Sequence, residues 1–371
     1  MQRPIPNVTL LLAALSAIGA NAHGETAVTR ESFSIEKAQE FANYSMLAPA
    51  YEQLLMLGVQ APNAEATVKA MAAHGFAFKL FRYQFSTAVV LNDSNTNTIH
   101  VSFDATTEFA DKVDNAKFWP VSHKLGGKVH YGFNAVLKKE GPTGGTLEQA
   151  VRGAVAAFAA ENHGPSTVDL CGFSKGGTSA IAFAAYWMTT NFANSPGLKL
   201  KEIYTFASPP LGDKTFVEKF DAQCRQHGIT VNRVVAGRDT VPNLMTKDDA
   251  WYIHAMYAQQ GEIYYLYYKD GTPTLVHNPD KATMLEIKNS SKDVKNWHRL
   301  PVYLAAIEKY KELHASVVEA QTPKKPVEVA AVDTPVAQVQ EAQAEYAVAP
   351  KPKFDPSKFT RGADMAEFRS R

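Results

Sequence analysis

Val168-Asp169-Leu170-Cys171-Gly172-Phe173-Ser174-Lys175-Gly176-Gly177-Thr178-Ser179-Ala180 is the stretch whose reading decides the fold. The apolar run Val168 to Cys171 has the character of a buried strand. It stops at Gly172-Phe173-Ser174-Lys175-Gly176, a G-x-S-x-G pattern, and small and apolar residues from Thr178 to Trp187 then favour a helix. Strand, tight turn and helix is the setting in which this pattern presents a serine at a sheet edge. Glycine on both sides suits such a turn, because a Cβ there would meet neighbouring backbone. The helix beginning beside Ser174 points unpaired N–H groups and a positive dipole end at any negative charge that develops there.

Working outward, the same alternation repeats. Upstream, Thr146-Leu147-Glu148-Gln149 is a capping box that starts a helix running to about Asn162, where His163-Gly164-Pro165 stops it. Phe85 to Leu91 and Thr98 to Phe103 form a predicted hairpin joined by Asn92-Asp93-Ser94-Asn95. Ser34 to Leu57 and Glu65 to Ala73 have helical spacing, and Val129 to Phe133 leads into another helix. Downstream, Lys201 to Ala207 and Thr230 to Ala236 are strands, with a helix from Phe216 to His227 between them. Glu262 to Tyr268 is an aromatic strand ending at an Asp270-Gly271 turn, and Trp297 to Leu313 is the last helix. This order predicts an α/β fold with a mostly parallel central sheet flanked by helices. Ligands in such sheets sit beyond the carboxyl ends of the strands, and Ser174, Thr106 and Asp239 each fall just after one.

The 371 residues are 45% hydrophobic and 20% charged with a net charge of +1, which is globular and offers no electrostatic case for nucleic acid. The two cysteines, Cys171 and Cys224, exclude a disulfide scaffold, and Cys171 reads as a buried thiol. No metal-ligand spacing and no cofactor motif is present in the sequence. Arg3, the apolar run Val8 to Ala20 and Ala20-Asn21-Ala22 read as a cleavable signal peptide over residues 1–22, so the chain is expected to be secreted or periplasmic. Asn43, Asn92 and Asn289 each open an N-x-S sequon. Residues 23–320 form the expected α/β domain. Residues 321–371, rich in Pro, Ala, Val and Glu without apolar period, read as a disordered tail that could dock a protein partner.

Acyl transfer by a serine needs a base within hydrogen-bond reach, a carboxylate to orient the base, and two N–H donors for the oxyanion. Asp239, in the turn after an apolar strand, is the best acid candidate. Asp213 reads as a helix N-cap and Asp221 as part of a helix face. Among His254, His277, His298 and His314, His298 follows a loop at a helix start and can reach across a sheet edge, with His254 as the alternative. The backbone N–H of Lys175 is one oxyanion donor and Thr106 supplies the other, while the Lys175 side chain reads as a solvated helix charge. Phe109, Phe118 and Trp119 lie on otherwise polar sequence, which suits either an amphipathic cover or a loop pinned by aromatics.

In order along the chain, these stretches resemble the class 3 lipases, the fungal-lipase-like branch of the α/β-hydrolases. Val101 to Thr106 is similar to the family's oxyanion strand and Val129-His130-Tyr131-Gly132-Phe133 to its V-H-x-G-F. Gly172 to Gly177 is similar to G-H-S-L-G-G and Thr205-Phe206-Ala207-Ser208-Pro209 to T-F-G-S-P, with Arg233 to Pro242 as the strand bearing the aspartate. The resemblance spans roughly residues 35 to 310 and implies a triad of Ser174, Asp239 and His298 with Thr106 in the oxyanion hole. It further implies a lid within Thr107 to Gly127, with Phe109, Phe118 and Trp119 as lipid contacts. Four departures stand out: Phe103-Asp104-Ala105-Thr106 for F-R-G-T, Phe173 for His, Lys175 for Leu, and an aromatic Tyr303 five rather than three residues after His298.

The expected activity is therefore serine hydrolysis of lipid esters, with triacylglycerol or partial glycerides as substrates and transient contact with a lipid surface. Phospholipase A1-type activity on the same triad is one alternative. An exported interaction protein with a decayed hydrolase core is the other.

Overall fold

The strand that ends beside Ser174 lies inside an eight-stranded sheet. The computed structural model describes residues 33–56, 76–83, 86–104, 119–138, 140–141, 144–190, 192, 195–243, 258, 260–290 and 297–319. The expected signal peptide and tail, the Glu65–Ala73 helix, and the positions Thr106, Phe109, Phe118 and His254 lie outside them.

In chain order the elements are α1 (Ile35–Met56), β1 (Phe76–Tyr83), β2 (Ser86–Asp93), β3 (Thr98–Phe103), β4 (Pro120–Ser122), β5 (Lys128–His130) and α2 (Tyr131–Val136). They continue with α3 (Leu147–Glu161), β6 (Ser166–Phe173), α4 (Lys175–Met188), β7 (Leu198–Phe206), α5 (Lys214–His227) and β8 (Thr230–Ala236). A short 3-10 turn, Val241–Asn243, precedes β9 (Glu262–Lys269), β10 (Thr272–His277), α6 (Lys281–Ser290) and α7 (Leu300–Glu319). β3, β6, β7, β8 and β9 pair in parallel, while β1-β2-β3 and β9-β10 are antiparallel at the two margins. This is the α/β-hydrolase arrangement expected from the sequence, with a mostly parallel sheet.

Both faces of the sheet are covered. Residues of α2, α3, α4 and α5 pack on one face in a cluster that includes Val101, Leu170, Ile203 and Val231. On the other face, Phe41 and Leu47 of α1 and Tyr303 and Ile307 of α7 pack against Cys171, Tyr204 and Val234. α4 is buried on almost every side, because Gly176, Gly177, Ala180, Ala182, Ala184 and Ala185 keep it thin enough to lie directly on the strands. The Thr146–Gln149 capping box is present in full, and Asp213 caps α5 by accepting the Phe216 N–H at 2.9 Å. β1 and α6 were not anticipated in the sequence. β1 mixes Lys79 and Arg82 into an edge strand, and α6 is short and polar, so neither has a clear period.

The end of the segment read as a cover is ordered differently from a loose loop. Val121 pairs with Val129 across the β4-β5 ribbon, and Trp119, 41% exposed, stacks on Tyr131 with ring centroids 5.1 Å apart. The turn of this ribbon holds His123, whose Nδ1 accepts the Leu125 N–H at 3.1 Å and whose ring packs edge-on against Tyr186 and Phe216. Burial first, and then Lys138 and Lys124, push its pKa from 6.5 down to about 4. The folded state therefore binds fewer protons than the unfolded state between these values. The resulting stability is complete above pH 6.5 and is lost as the pH falls toward 4. Melting curves between pH 7 and pH 4 should show this loss, and His123→Gln should flatten it; an unchanged slope would rule His123 out as its source.

Candidate active site

The local geometry at Ser174 follows from its neighbours. The serine has φ 55° and ψ −123°, a conformation that L-residues rarely adopt, and its N–H donates to the Phe206 carbonyl at 2.8 Å. A Cβ added at Gly172 would lie 2.3 Å from the Gly176 carbonyl carbon, and one added at Gly176 would lie 2.2 Å from the Phe103 carbonyl oxygen. Both glycines are needed so that strand, helix and the end of β3 can meet at backbone distance. The Ser174 side chain makes no cap hydrogen bond to α4, whose N-terminal N–H groups carry the positive end of the helix dipole at this turn.

Three side chains far apart in the sequence meet here. His298 Nε2 lies 2.9 Å from Ser174 Oγ, and His298 Nδ1 lies 2.9 Å from Asp239 Oδ2. Asp239 stands in the turn after β8, its side chain fully buried, and its Oδ1 accepts the Val241 N–H at 3.0 Å. His298 sits in the loop Trp297–Arg299. The last helix begins only at Leu300, with Pro301 in its first turn where the missing N–H costs nothing. Trp297 anchors that loop by packing over Gly237, where an added Cβ would come 2.4 Å from the indole. An imidazole held between a buried carboxylate and a serine hydroxyl can take up the serine proton and return it to a leaving group.

Tyr303 completes the support. Its hydroxyl donates to Asp239 Oδ2 at 2.7 Å, and burial together with the Asp239 charge holds the phenol well above its ordinary pKa of 10.0. The aromatic that seemed displaced in the sequence thus reaches the site from the first turn of α7. Phe173, which stands where the family has His, packs against both the His298 ring, at 5.0 Å, and the Tyr303 ring, at 5.6 Å. Tyr303→Phe should lower kcat on a soluble ester by about 3- to 30-fold with little change in KM, because one donor to a buried carboxylate is lost. An unchanged kcat would show that Val241 and His298 suffice to hold Asp239.

The other candidates serve elsewhere. His277 bonds Glu262 at 2.8 Å, and His314 bonds the Tyr310 carbonyl at 2.8 Å. Asp221 accepts the Gly261 N–H at 3.1 Å. The solvated reading of Lys175 is overturned. Its side chain is 1% exposed, and its Nζ lies 3.6 Å from Asp104 Oδ2, itself 2% exposed. The signal missed in the sequence was that two departures, Asp104 and Lys175, carry opposite charge. Among the described residues no His, Cys, Asp and Glu cluster could hold a metal ion.

Residues 98–249, from β3 to beyond Asp239, match the family model Lipase (class 3). Over this stretch the chain is similar to the class 3 lipases. This match supports a serine ester hydrolase of lipase type. Among solved structures, the chain is similar to a Rhizomucor miehei triacylglyceride lipase at 19% identity, covering 70% of this chain and 92% of that one, with a TM-score of 0.48. It is similar to lipase II from Rhizopus niveus at 18% identity, covering 72% and 93%, with a TM-score of 0.49. A lipase from Rhizopus microsporus var. chinensis is similar at 20% identity, covering 73% and 90%, with a TM-score of 0.48. No curated protein matches the chain.

Proposed function

We propose that this protein is a lipase that hydrolyses glyceride esters, triacylglycerol or partial glyceride, through an acyl-enzyme on Ser174. The observation that carries this reading is the unbroken chain of hydrogen bonds from Ser174 through His298 to Asp239 at a strained turn. Ser174 Oγ attacks the ester carbonyl while its proton passes to His298 Nε2. Asp239 holds the imidazole in the tautomer that can accept that proton and balances the imidazolium. The backbone N–H of Lys175, at the start of α4, is one donor to the oxyanion, and Thr106 is assigned as the other. The imidazolium then protonates the departing alkoxide, and water releases the fatty acid by the same steps in reverse order.

Trp119, 41% exposed just before β4, is assigned to contact with a lipid surface, together with Phe109 and Phe118. Residues 107–127 are assigned as the cover. The N-terminal 22 residues are assigned as a signal peptide that exports the enzyme, and the segment from 321 as a spacer or docking tail. Among the described residues no helix is long and apolar enough to cross a membrane.

A panel of short p-nitrophenyl esters, triglycerides and phospholipids, with fluorophosphonate labelling of wild type and Ser174→Ala, tests the reading. Glyceride hydrolysis and labelling confined to Ser174 are expected. Preference for the first acyl position of phospholipid would move the assignment to phospholipase A1 activity. Absence of labelling in folded wild type would point to an interaction protein on a decayed hydrolase core.

A further inference from the structure

We propose that Arg233 is a positioning residue that holds a strained turn at Ala207, and through it the Ser174 turn, in the geometry the reaction needs. The inference rests on the triad reading above, since the role it assigns is in the reaction that Ser174 begins. Among the described residues, five that are not glycine have φ in the left-handed region. Three of them, Asn97, Asp270 and Asn278, are of the types that tolerate it. The other two are Ser174 and Ala207, with φ 55° and 54°. One peptide unit joins them. Its Phe206 carbonyl accepts the Ser174 N–H at 2.8 Å, and its Ala207 N–H donates to the Val234 carbonyl at 3.1 Å. This planar unit ties the nucleophile turn to β8, and the φ of Ala207 is the rotation about the bond that leaves it. Relaxing that φ would tilt the plane or move Ser208.

Alanine does not rest in this conformation unaided, so the chain after it must be held. Ser208 is held from two sides. Its carbonyl accepts from Nη2 of Arg233, on β8, at 3.1 Å. Its hydroxyl lies 3.0 Å from that of Thr178, in the first turn of α4, and both hydroxyls lie near the Pro209 carbonyl, at 3.1 Å and 2.9 Å. A Cβ added at Gly177 would come 2.8 Å from the Ser208 Cβ. The first turn of α4, with the Lys175 N–H in it, therefore rests directly on Ser208 and Pro209.

Stability does not explain an arginine here. Arg233 is 1% exposed, and its Nε and Nη1 find no hydrogen-bond partner among the described residues. Burial lowers its pKa from 12.5 to about 10, so it is still charged at neutral pH. A buried charge with unmet donors commonly gains no more stability than a well-packed apolar chain of similar length. What the guanidinium supplies is a rigid donor that reaches from β8 to the Ser208 carbonyl. Displacing the nucleophile or an oxyanion donor by a fraction of an ångström weakens transition-state binding more than substrate binding. Loss of this hold should therefore act on kcat and leave KM nearly alone.

The experiment makes Arg233→Met in two backgrounds, wild type and Ala207→Gly, and measures kcat and KM on a p-nitrophenyl ester alongside melting temperature. Glycine adopts positive φ without strain, so in the second background the turn no longer needs the arginine. Ala207→Gly alone should raise the melting temperature by about 1 to 4 °C. In wild type, Arg233→Met should lower kcat about 10- to 100-fold with KM within about threefold and the melting temperature within about 5 °C. In the Ala207→Gly background the same change should lower kcat by less than about threefold. An Arg233→Met protein with wild-type kcat would overturn the proposal, whatever its melting temperature. An equal loss of kcat in both backgrounds would overturn it too, since Arg233 would then act by a route other than the turn. Failure of Arg233→Met to fold would count the same way, because the arginine would then serve folding and not positioning. Fluorophosphonate labelling of wild type keeps the two readings apart. Folded but unlabelled wild type refutes the nucleophile, and this role of Arg233 with it, whereas labelled wild type with an unaffected Arg233→Met variant refutes only the positioning role.

Discussion

Ser174→Ala is expected to lower kcat/KM on a p-nitrophenyl ester by about 10⁴-fold or more, with the melting temperature within about 3 °C of wild type. The size of the loss follows from what the hydroxyl does. Without Oγ no acyl-enzyme forms, and what remains is the effect of the oxyanion donors and the binding groove on attack by water. The stability forecast follows from the backbone. Alanine carries the same Cβ as serine, so the unusual φ of 55° is neither relieved nor worsened, and the Ser174 N–H to Phe206 bond does not involve the side chain. Retention of more than a tenth of wild-type activity by pure Ser174→Ala protein would remove Ser174 from the mechanism. Fluorophosphonate labelling should vanish in the same variant.

Asp239→Asn should cost about 10⁴-fold in kcat, and the hydrogen bonds around Asp239 state why. The Val241 N–H donates to Oδ1 at 3.0 Å, so an amide at this position would turn its oxygen there and its NH₂ toward Oδ2's place. That NH₂ would face the Tyr303 hydroxyl and His298 Nδ1, which are 2.7 Å and 2.9 Å from Oδ2 in the wild type. His298 would then accept at Nδ1 and carry its proton on Nε2, against the serine, where it cannot act as a base. Rate measurements from pH 6 to pH 10 provide the check. The variant should recover part of its activity at high pH, where hydroxide deprotonates the serine directly. A variant within tenfold of wild type at pH 7 would show that another group orients His298.

The strand, turn and helix around Ser174 were legible because each is a local matter. Gly172 and Gly176 relieve contacts within the turn itself, and Thr146 and Gln149 satisfy N–H groups of their own helix. The alternation of apolar strands and helices likewise fixes an α/β sheet from nearest-neighbour patterns alone. Asp239 could be placed because it directly follows a strand whose carboxyl end had to share an edge with Ser174.

What lay beyond the sequence was every relation across long separations. His298 meets Ser174 over 124 positions, and the sequence favours it only for its place after a loop at a helix start, with His254 left as the alternative. The choice is made by the packing of Trp297 on Gly237, which brings that loop over the end of β8. Tyr303 looked misplaced by two residues when counted along the chain, yet the start of α7 at Leu300 turns its hydroxyl onto Asp239. The same holds for Lys175. A lysine at the first position of a helix is usually solvated, and only the approach of β3 to α4 buries it against Asp104. Sequence by itself determined the class of fold and singled out Ser174 and Asp239, because these follow from local sterics and strand order. The tertiary structure decided which histidine completes the chain and which charges are buried, because burial and hydrogen-bond reach exist only once the sheet has closed around them.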